Sequence, residues 1–200
     1  MPKNSNKDYK FGDSFSKRAK DLGYRSRSSF KLKEIQNKDK LLLKGMKVLD
    51  LGSSPGGWSQ VTKEIIGAAG KIVAVDLKDM QEIKGVVFVK KDIGLIEEED
   101  ISFEEKFLPF DVVLSDIAPN ISGISDRDHI LMINLLEKII FIIENYLKKE
   151  GRVLVKAFQG ESLDFITNYM KSRFETVRIR KPRSSRHRSK EYYALGKNLK

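Results

Sequence analysis

The stretch Val48-Leu49-Asp50-Leu51-Gly52-Ser53-Ser54-Pro55-Gly56-Gly57-Trp58-Ser59-Gln60 constrains the fold of this chain more than any other. Apolar, β-favouring positions lead into a glycine-rich turn, and a helical pattern opens directly after it. A strand, a tight turn and a helix N-terminus in that order let backbone approach a nucleotide-like ligand closely. The glycines fall at 52, 56 and 57, which departs from the dinucleotide fingerprint G-x-G-x-x-G. Trp58 stands where a phosphate loop requires lysine. What remains is an α/β unit with a ligand over the turn. Asp76 strengthens that reading. It ends the run Lys71-Ile-Val-Ala-Val-Asp76, where a carboxylate can accept hydrogen bonds from two ribose hydroxyls.

The 200 residues fit one domain with a sizeable core. Cysteine is absent, which excludes disulfides and thiolate metal sites. The start, Met1-Pro2-Lys3-Asn4-Ser5, lacks a signal-peptide pattern, and no apolar run approaches the ~18 residues of a membrane helix. A cytoplasmic location without a membrane partner is the expectation.

Net charge is +10, and its distribution says more than its size. Residues 1–47 hold 14 Lys/Arg against 5 Asp/Glu, and residues 171–200 hold 11 against 2. The centre, 48–170, holds 13 against 21. Two basic ends around an acidic centre suit a polyanion, with RNA or DNA ahead of membrane. Lysines such as Lys38 and Lys44 are explicable as ordinary solvated surface. The arginines from Arg178 to Arg188 offer the forked geometry preferred for phosphate.

Along the chain, residues 1–10 are polar and 14–22 form a short basic helix. Residues 1–22 are thus a basic, partly flexible extension, and 23–200 the single domain. Ser26 or Ser28 could cap a second helix whose Leu32 and Ile35 share a buried face. By spacing alone Lys31, leaving that face at an angle, is an ordinary surface lysine. Strands are expected at 46–51, 70–76, 85–89, 110–115, 151–158, 174–180 and 192–195, and helices at 59–66, 128–149 and 161–170. The acidic run 97–100 reads as a solvated helix start, and 121–127 as a loop. Strands alternating with helices mean a mostly parallel, doubly wound sheet. The helix-free 181–190 connection implies that the last strand runs antiparallel to the one before it.

In such a sheet the ligand lies beyond the carboxyl ends of the strands, where Gly52, Asp76, Asp92, Asp116 and Lys156 fall. These acids make no tight metal motif, and His129 and His187 have no ligand-like spacing, so no metal is expected. Lys156 is the anomaly. An ammonium inside Val-Leu-Val-Lys-Ala-Phe is costly to bury unless paired. Asp116, on a neighbouring parallel strand, could supply the pair, either as a structural ion pair or as part of an acid–base site.

Five segments in this order resemble the bacterial FtsJ/RrmJ family of ribosomal-RNA 2′-O-ribose methyltransferases. They are Arg27-Ser-Ser-Phe-Lys-Leu32, Asp50-Leu-Gly-Ser-Ser-Pro-Gly-Gly-Trp-Ser-Gln60, Ser115-Asp-Ile-Ala-Pro-Asn120, Val155-Lys-Ala-Phe-Gln-Gly160, and Lys181-Pro-Arg-Ser-Ser-Arg186 with Ser189-Lys-Glu191. The resemblance runs from about Tyr24 to Leu195. It implies a Rossmann-like, S-adenosylmethionine-dependent fold with helices on both faces of a seven-stranded sheet whose last strand is antiparallel.

It further implies a cofactor site at Gly52, Pro55, Gly56, Gly57, Trp58, Asp76, Asp92 and Asp116, with Asp76 on the ribose and Asp92 against the adenine. The family's catalytic Lys-Asp-Lys-Glu set falls on Lys31, Asp116, Lys156 and Glu191. RNA contacts are expected at Arg25, Arg27, Lys31, Arg183, Arg186 and Arg188. Departures are mild: Ser53-Ser54 replace smaller residues, Phe30 stands at a position often Tyr, and Lys190 at one often Arg. Lys156 would accept the proton of a ribose 2′-hydroxyl, with Asp116 orienting it and Lys31 and Glu191 orienting the ribose. The implied substrate is a uridine of large-subunit ribosomal RNA, within the subunit, met by a monomer. Two readings stand beside it: methylation of a transfer-RNA loop, and a non-catalytic RNA-binding ribosome-assembly factor.

Overall fold

A computed structural model describes residues 6–102, 108–120, 125–186 and 189–200, with only the backbone for 6–13 and 125. The chain opens with α1 (Asn6–Asp21) and α2 (Ser29–Asp39), and then runs through β1 (Lys47–Leu51), α3 (Gly57–Ile66), β2 (Lys71–Asp76) and β3 (Val87–Lys90). A short 3-10 turn and α4 (Glu98–Ile101) lead to β4 (Phe110–Ser115). After it come α5 (Ser125–Tyr146), β5 (Leu147–Phe158), α6 (Glu161–Arg173), β6 (Phe174–Arg180) and β7 (Glu191–Leu199).

The seven strands lie in the order β3-β2-β1-β4-β5-β7-β6. All pairings from β3 to β5 are parallel, and β7 is antiparallel to both β5 and β6. The expected sheet is therefore the observed one, with β7 inserted between its two partners instead of at the edge.

Period-two alternation sorts the strands' side chains onto two layers. Leu49, Leu51, Val73, Val75, Val113, Val153 and Val155 pack with α5 and α6. Val48, Ile72, Val112, Leu114 and Leu154 pack with Leu32 and Ile35 of α2 and Trp58 and Val61 of α3. Burying a side chain of this size contributes roughly 1.5–3 kcal/mol, so both layers stabilise the sheet that positions the site.

Three local expectations are corrected. Residues 147–149 are strand and not helix: Leu147 pairs with Phe110, and the β4–β5 register shifts between Phe110 and Val112. An apolar pattern running through Leu147 suits either state, and pairing with Phe110 of β4 selected strand. Residues 125–127 form the first turn of α5, while the rest of the expected loop, 121–124, lies outside the described residues. Ser28 does stand at the N-cap of α2, but it has helical φ/ψ and makes no capping bond, its hydroxyl meeting Ser26 Oγ at 2.7 Å.

Candidate active site

Parallel pairing of β4 with β5 sets Ser115 beside Val155, so the next residues along, Asp116 and Lys156, become neighbours. Lys156 Nζ lies 3.1 Å from Asp116 Oδ1 and donates to the Asp116 carbonyl at 2.5 Å. Antiparallel pairing of β5 with β7 sets Lys156 opposite Tyr193 and Phe158 opposite Glu191. Glu191 and Tyr193, two apart on β7, then share a face.

Lys31 reaches this face from α2. Its Nζ donates to Glu191 Oε2 at 2.9 Å and to the Tyr193 hydroxyl at 3.1 Å. Tyr193 in turn donates to Asp116 Oδ1 at 2.7 Å. The result is a continuous path, Lys156–Asp116–Tyr193–Lys31–Glu191. Lys31 is 5% exposed and Lys156 6%, so neither is a surface lysine.

Burial pushes the Glu191 carboxyl up, but the charge and hydrogen bond of Lys31, with help from Lys156, outweigh it and hold it below the usual range. Burial, then the charges of Asp116 and Glu191, push the Tyr193 phenol well above its usual value, so it stays a neutral donor. Tyr193 escaped the sequence reading. The available signal was a phenol two positions after Glu191 on one strand face.

Docking of α2 explains why Lys31 arrives at all. A Cβ on Gly57 would sit 2.1 Å from Ser26 Oγ and 2.9 Å from Ser29 Oγ, so a side chain there would push both hydroxyls out of place. Ser29 Oγ donates to the Gly57 carbonyl at 3.0 Å, and Trp58 Nε1 donates to the Ser28 carbonyl at 3.0 Å. The Trp58 ring packs on Tyr193, 5.6 Å between centroids, and is 2% exposed. Its side chain is thus a strut under Lys31 and Tyr193 with almost no surface to offer a ligand.

The glycine turn lies beside this path. Gly52 has φ 74, and a Cβ there would meet Ile117 Cγ1 at 2.2 Å. Gly52 and Ser53 N–H groups donate to the Val75 carbonyl, which ties the turn to β2. Asp76 accepts from Ser54 N at 2.9 Å and Lys78 N at 2.8 Å, one bond on each oxygen. That fixes the plane of the carboxylate and leaves a lone pair on each oxygen for two adjacent hydroxyls. Pro55 follows a cis peptide bond, and Gly56 has φ 108.

Asp92 caps the 3-10 turn by accepting from Gly94 N at 2.7 Å and pairs with Lys138 at 3.2 Å. The Gly94 bond and, after burial's opposing push, Lys138 hold its carboxyl low. Asp50 is fully buried under the turn, with Ser59 Oγ at 2.5 Å on one oxygen and, among the described residues, no partner on the other. Burial above all, opposed by Ser59 and reinforced by Asp116 and Asp76, raises its carboxyl to about 7.

The basic residues divide into two groups. Burial and the charge of Arg186 push the Arg27 guanidinium down, while Glu191 and Tyr193 oppose, so Arg27 lies within electrostatic reach of Arg186 and of the path. Arg183 is exposed, its N–H held by Glu34 at 2.9 Å. Arg188 lies outside the described residues. Arg178 and Arg180, read as phosphate forks, are committed to Asp39: Arg178 Nη1 at 3.0 Å, Arg180 Nη2 and Nε both at 2.7 Å. A buried carboxylate claimed them first. Arg25 is committed as well, its Nη1 donating to Gln81 O at 2.5 Å and its Nη2 to Glu82 O at 2.6 Å.

Known proteins resemble this chain in sequence and in fold. The sequence profile described as FtsJ-like methyltransferase matches residues 24–199. The chain is 45% identical over 187 residues to the ribosomal RNA large subunit methyltransferase E of Methylobacillus flagellatus, covering 92% of this chain and 89% of that protein. It is 43% identical to the enzyme of the same name from Hahella chejuensis, covering 94% and 92%. Among solved structures, a ribosomal RNA methyltransferase from Plasmodium falciparum superposes with TM-score 0.77 at 32% identity, over 88% of this chain and 98% of that one. The fibrillarin/Nop5p complex structure, at 18% identity and TM-score 0.62, shares the fold. The chain belongs to the FtsJ-like methyltransferase family.

Proposed function

We propose that this methyltransferase transfers a methyl group from S-adenosylmethionine to a ribose 2′-hydroxyl of large-subunit ribosomal RNA, at a uridine. The observation that carries the reading is the Lys156–Asp116–Tyr193–Lys31–Glu191 path lying at the strand ends beside the glycine turn. When bound, S-adenosylmethionine supplies a methyl group already activated on a sulfonium.

The residues around the turn fit such a group. Asp76 has two lone pairs aimed away from its backbone donors, suited to a ribose diol. The buried Ser53 hydroxyl has no hydrogen-bond partner among the described residues. The first N–H groups of α3 lack intrahelical partners and suit a carboxylate, so residue 58 would contribute its backbone there. Asp92 stands at the end of the next strand for the base.

A 2′-hydroxyl is a weak nucleophile, so the protein must place its oxygen in line and remove its proton. In its neutral form, Lys156 Nζ takes that proton. Asp116 fixes the amine's direction through two contacts. Lys31, held by Glu191, donates toward the ribose oxygens, and Tyr193 keeps Lys31 and Asp116 in register. Arg27, Arg183 and Arg186 bind flanking phosphates. Attack occurs on carbon and involves no phosphoryl group, so the chemistry calls for no metal.

Single-turnover transfer of labelled methyl to undermethylated large subunits, followed by mapping of 2′-O-methyl positions, tests the reading. Label at a uridine 2′-oxygen is expected. Label on a base, or only on transfer RNA, would overturn the substrate assignment. Binding without transfer on every RNA would favour an assembly factor.

A further inference from the structure

Residues 77–86, between β2 and β3, carry no regular structure and follow directly on Asp76. Two side chains tie them down to the glycine turn. Ser54 Oγ donates to the Asp79 carbonyl at 3.1 Å. The other tie is Arg25, which belongs to the turn between α1 and α2. Its Nη1 donates to the Gln81 carbonyl at 2.5 Å and lies 3.4 Å from the Pro55 carbonyl, while Nη2 donates to the Glu82 carbonyl at 2.6 Å.

The geometry is built on both sides. Gly56 has no Cβ, and one placed there would sit 2.9 Å from Arg25 Cδ and 2.9 Å from Ile83 Cδ1. The absent side chain is the slot through which the arginine crosses. Gln60 holds the arginine's own backbone, accepting from Arg25 N at 3.2 Å and donating to the Gly23 carbonyl at 2.9 Å. Three carbonyls on two separate segments match a planar, forked donor and not a single ammonium.

We propose that Arg25 is a positioning residue for the cofactor: it straps the 77–86 loop to the glycine turn and so holds the wall next to Asp76. This rests on the S-adenosylmethionine site described above, and it replaces the expectation that Arg25 contacts RNA phosphate.

The test uses the full chain with Arg25→Lys and Arg25→Ala. Calorimetric titration with S-adenosylhomocysteine should show about tenfold weaker binding for both, with lysine failing to rescue. Amide exchange at residues 80–84 of the ligand-free variants should speed up, and the cofactor KM should rise with the Kd while the RNA KM does not follow it. The salt slope of RNA binding without cofactor should match wild type, because no phosphate contact is lost.

Unchanged cofactor affinity and exchange in a folded Arg25→Lys or Arg25→Ala protein would overturn the strap. A salt slope shallower by ~0.7 with unchanged cofactor affinity would return Arg25 to the phosphate contacts. Wild type that fails to bind the cofactor would instead refute the cofactor site itself, a separate result.

Discussion

Lys156 and Tyr193 stand opposite one another across the antiparallel β5–β7 pair, and both end on the Asp116 carboxylate. The proposed proton acceptor and the phenol that shares its carboxylate are thereby fixed by one strand register. A slip of one residue would turn Tyr193 to the other face.

Lys156→Ala is expected to lower methyl transfer by ~10²–10⁴-fold while cofactor and RNA still bind. The competing effect is structural. Removing one partner of a buried pair can cost ~3–5 kcal/mol, so transfer is measured in single turnover at a temperature where melting shows the variant folded. Near-wild-type transfer there would remove Lys156 from the mechanism.

Tyr193→Phe deletes the hydroxyl between Lys31 and Asp116 and keeps the ring on Trp58. A stability loss of about 1–2 kcal/mol is expected from the two broken hydrogen bonds. The rate should fall with little change in cofactor affinity, because the cofactor side of Asp76 is untouched. A rate equal to wild type would show that Lys31 and Asp116 need no bridge.

Asp76→Ala should weaken S-adenosylmethionine binding in a folded protein, since no other carboxylate ends β2. Titration calorimetry reads the outcome, and unchanged affinity would refute the ribose assignment.

Asp50 makes stability depend on pH. Its folded value, about 7, is raised above that of a free carboxyl. The fold is therefore favoured below the unfolded value, and this advantage is lost as pH rises through about 7. At about 1.4 kcal/mol per unit, the swing is on the order of 4 kcal/mol. Asp50→Asn should remove it, so the variant's melting temperature gains on wild type at pH 8.5 relative to pH 5. Parallel pH profiles for the two proteins would contradict this.

The arginines should separate by salt dependence. Arg186→Ala should make the slope of log affinity against log salt shallower by ~0.7. Arg180→Ala should leave that slope alone and instead destabilise the fold, because the buried Asp39 carboxylate loses its two-pronged partner. Equal slope changes for both would deny the division.

By itself the sequence determined the parallel sheet, the glycine turn and the ionisable rim. Alternating apolar residues, the glycines at 52, 56 and 57, Asp76 after its strand and a lysine inside an apolar one are local signals, and each acts within a few residues. The helix-to-strand change at Leu147 was not local: it depended on pairing with Phe110 of β4, which apolar spacing does not encode. Tertiary structure alone decided which basic groups were already spent. Asp39 takes Arg178 and Arg180 from 139 and 141 residues away, and Arg25 reaches 56 residues to Gln81. It also placed Trp58 beneath the site and Tyr193, 77 residues from Asp116, at its centre. A charge or a phenol is legible in a sequence, but its hydrogen-bond partner is chosen by whichever distant segment folding brings within 3 Å.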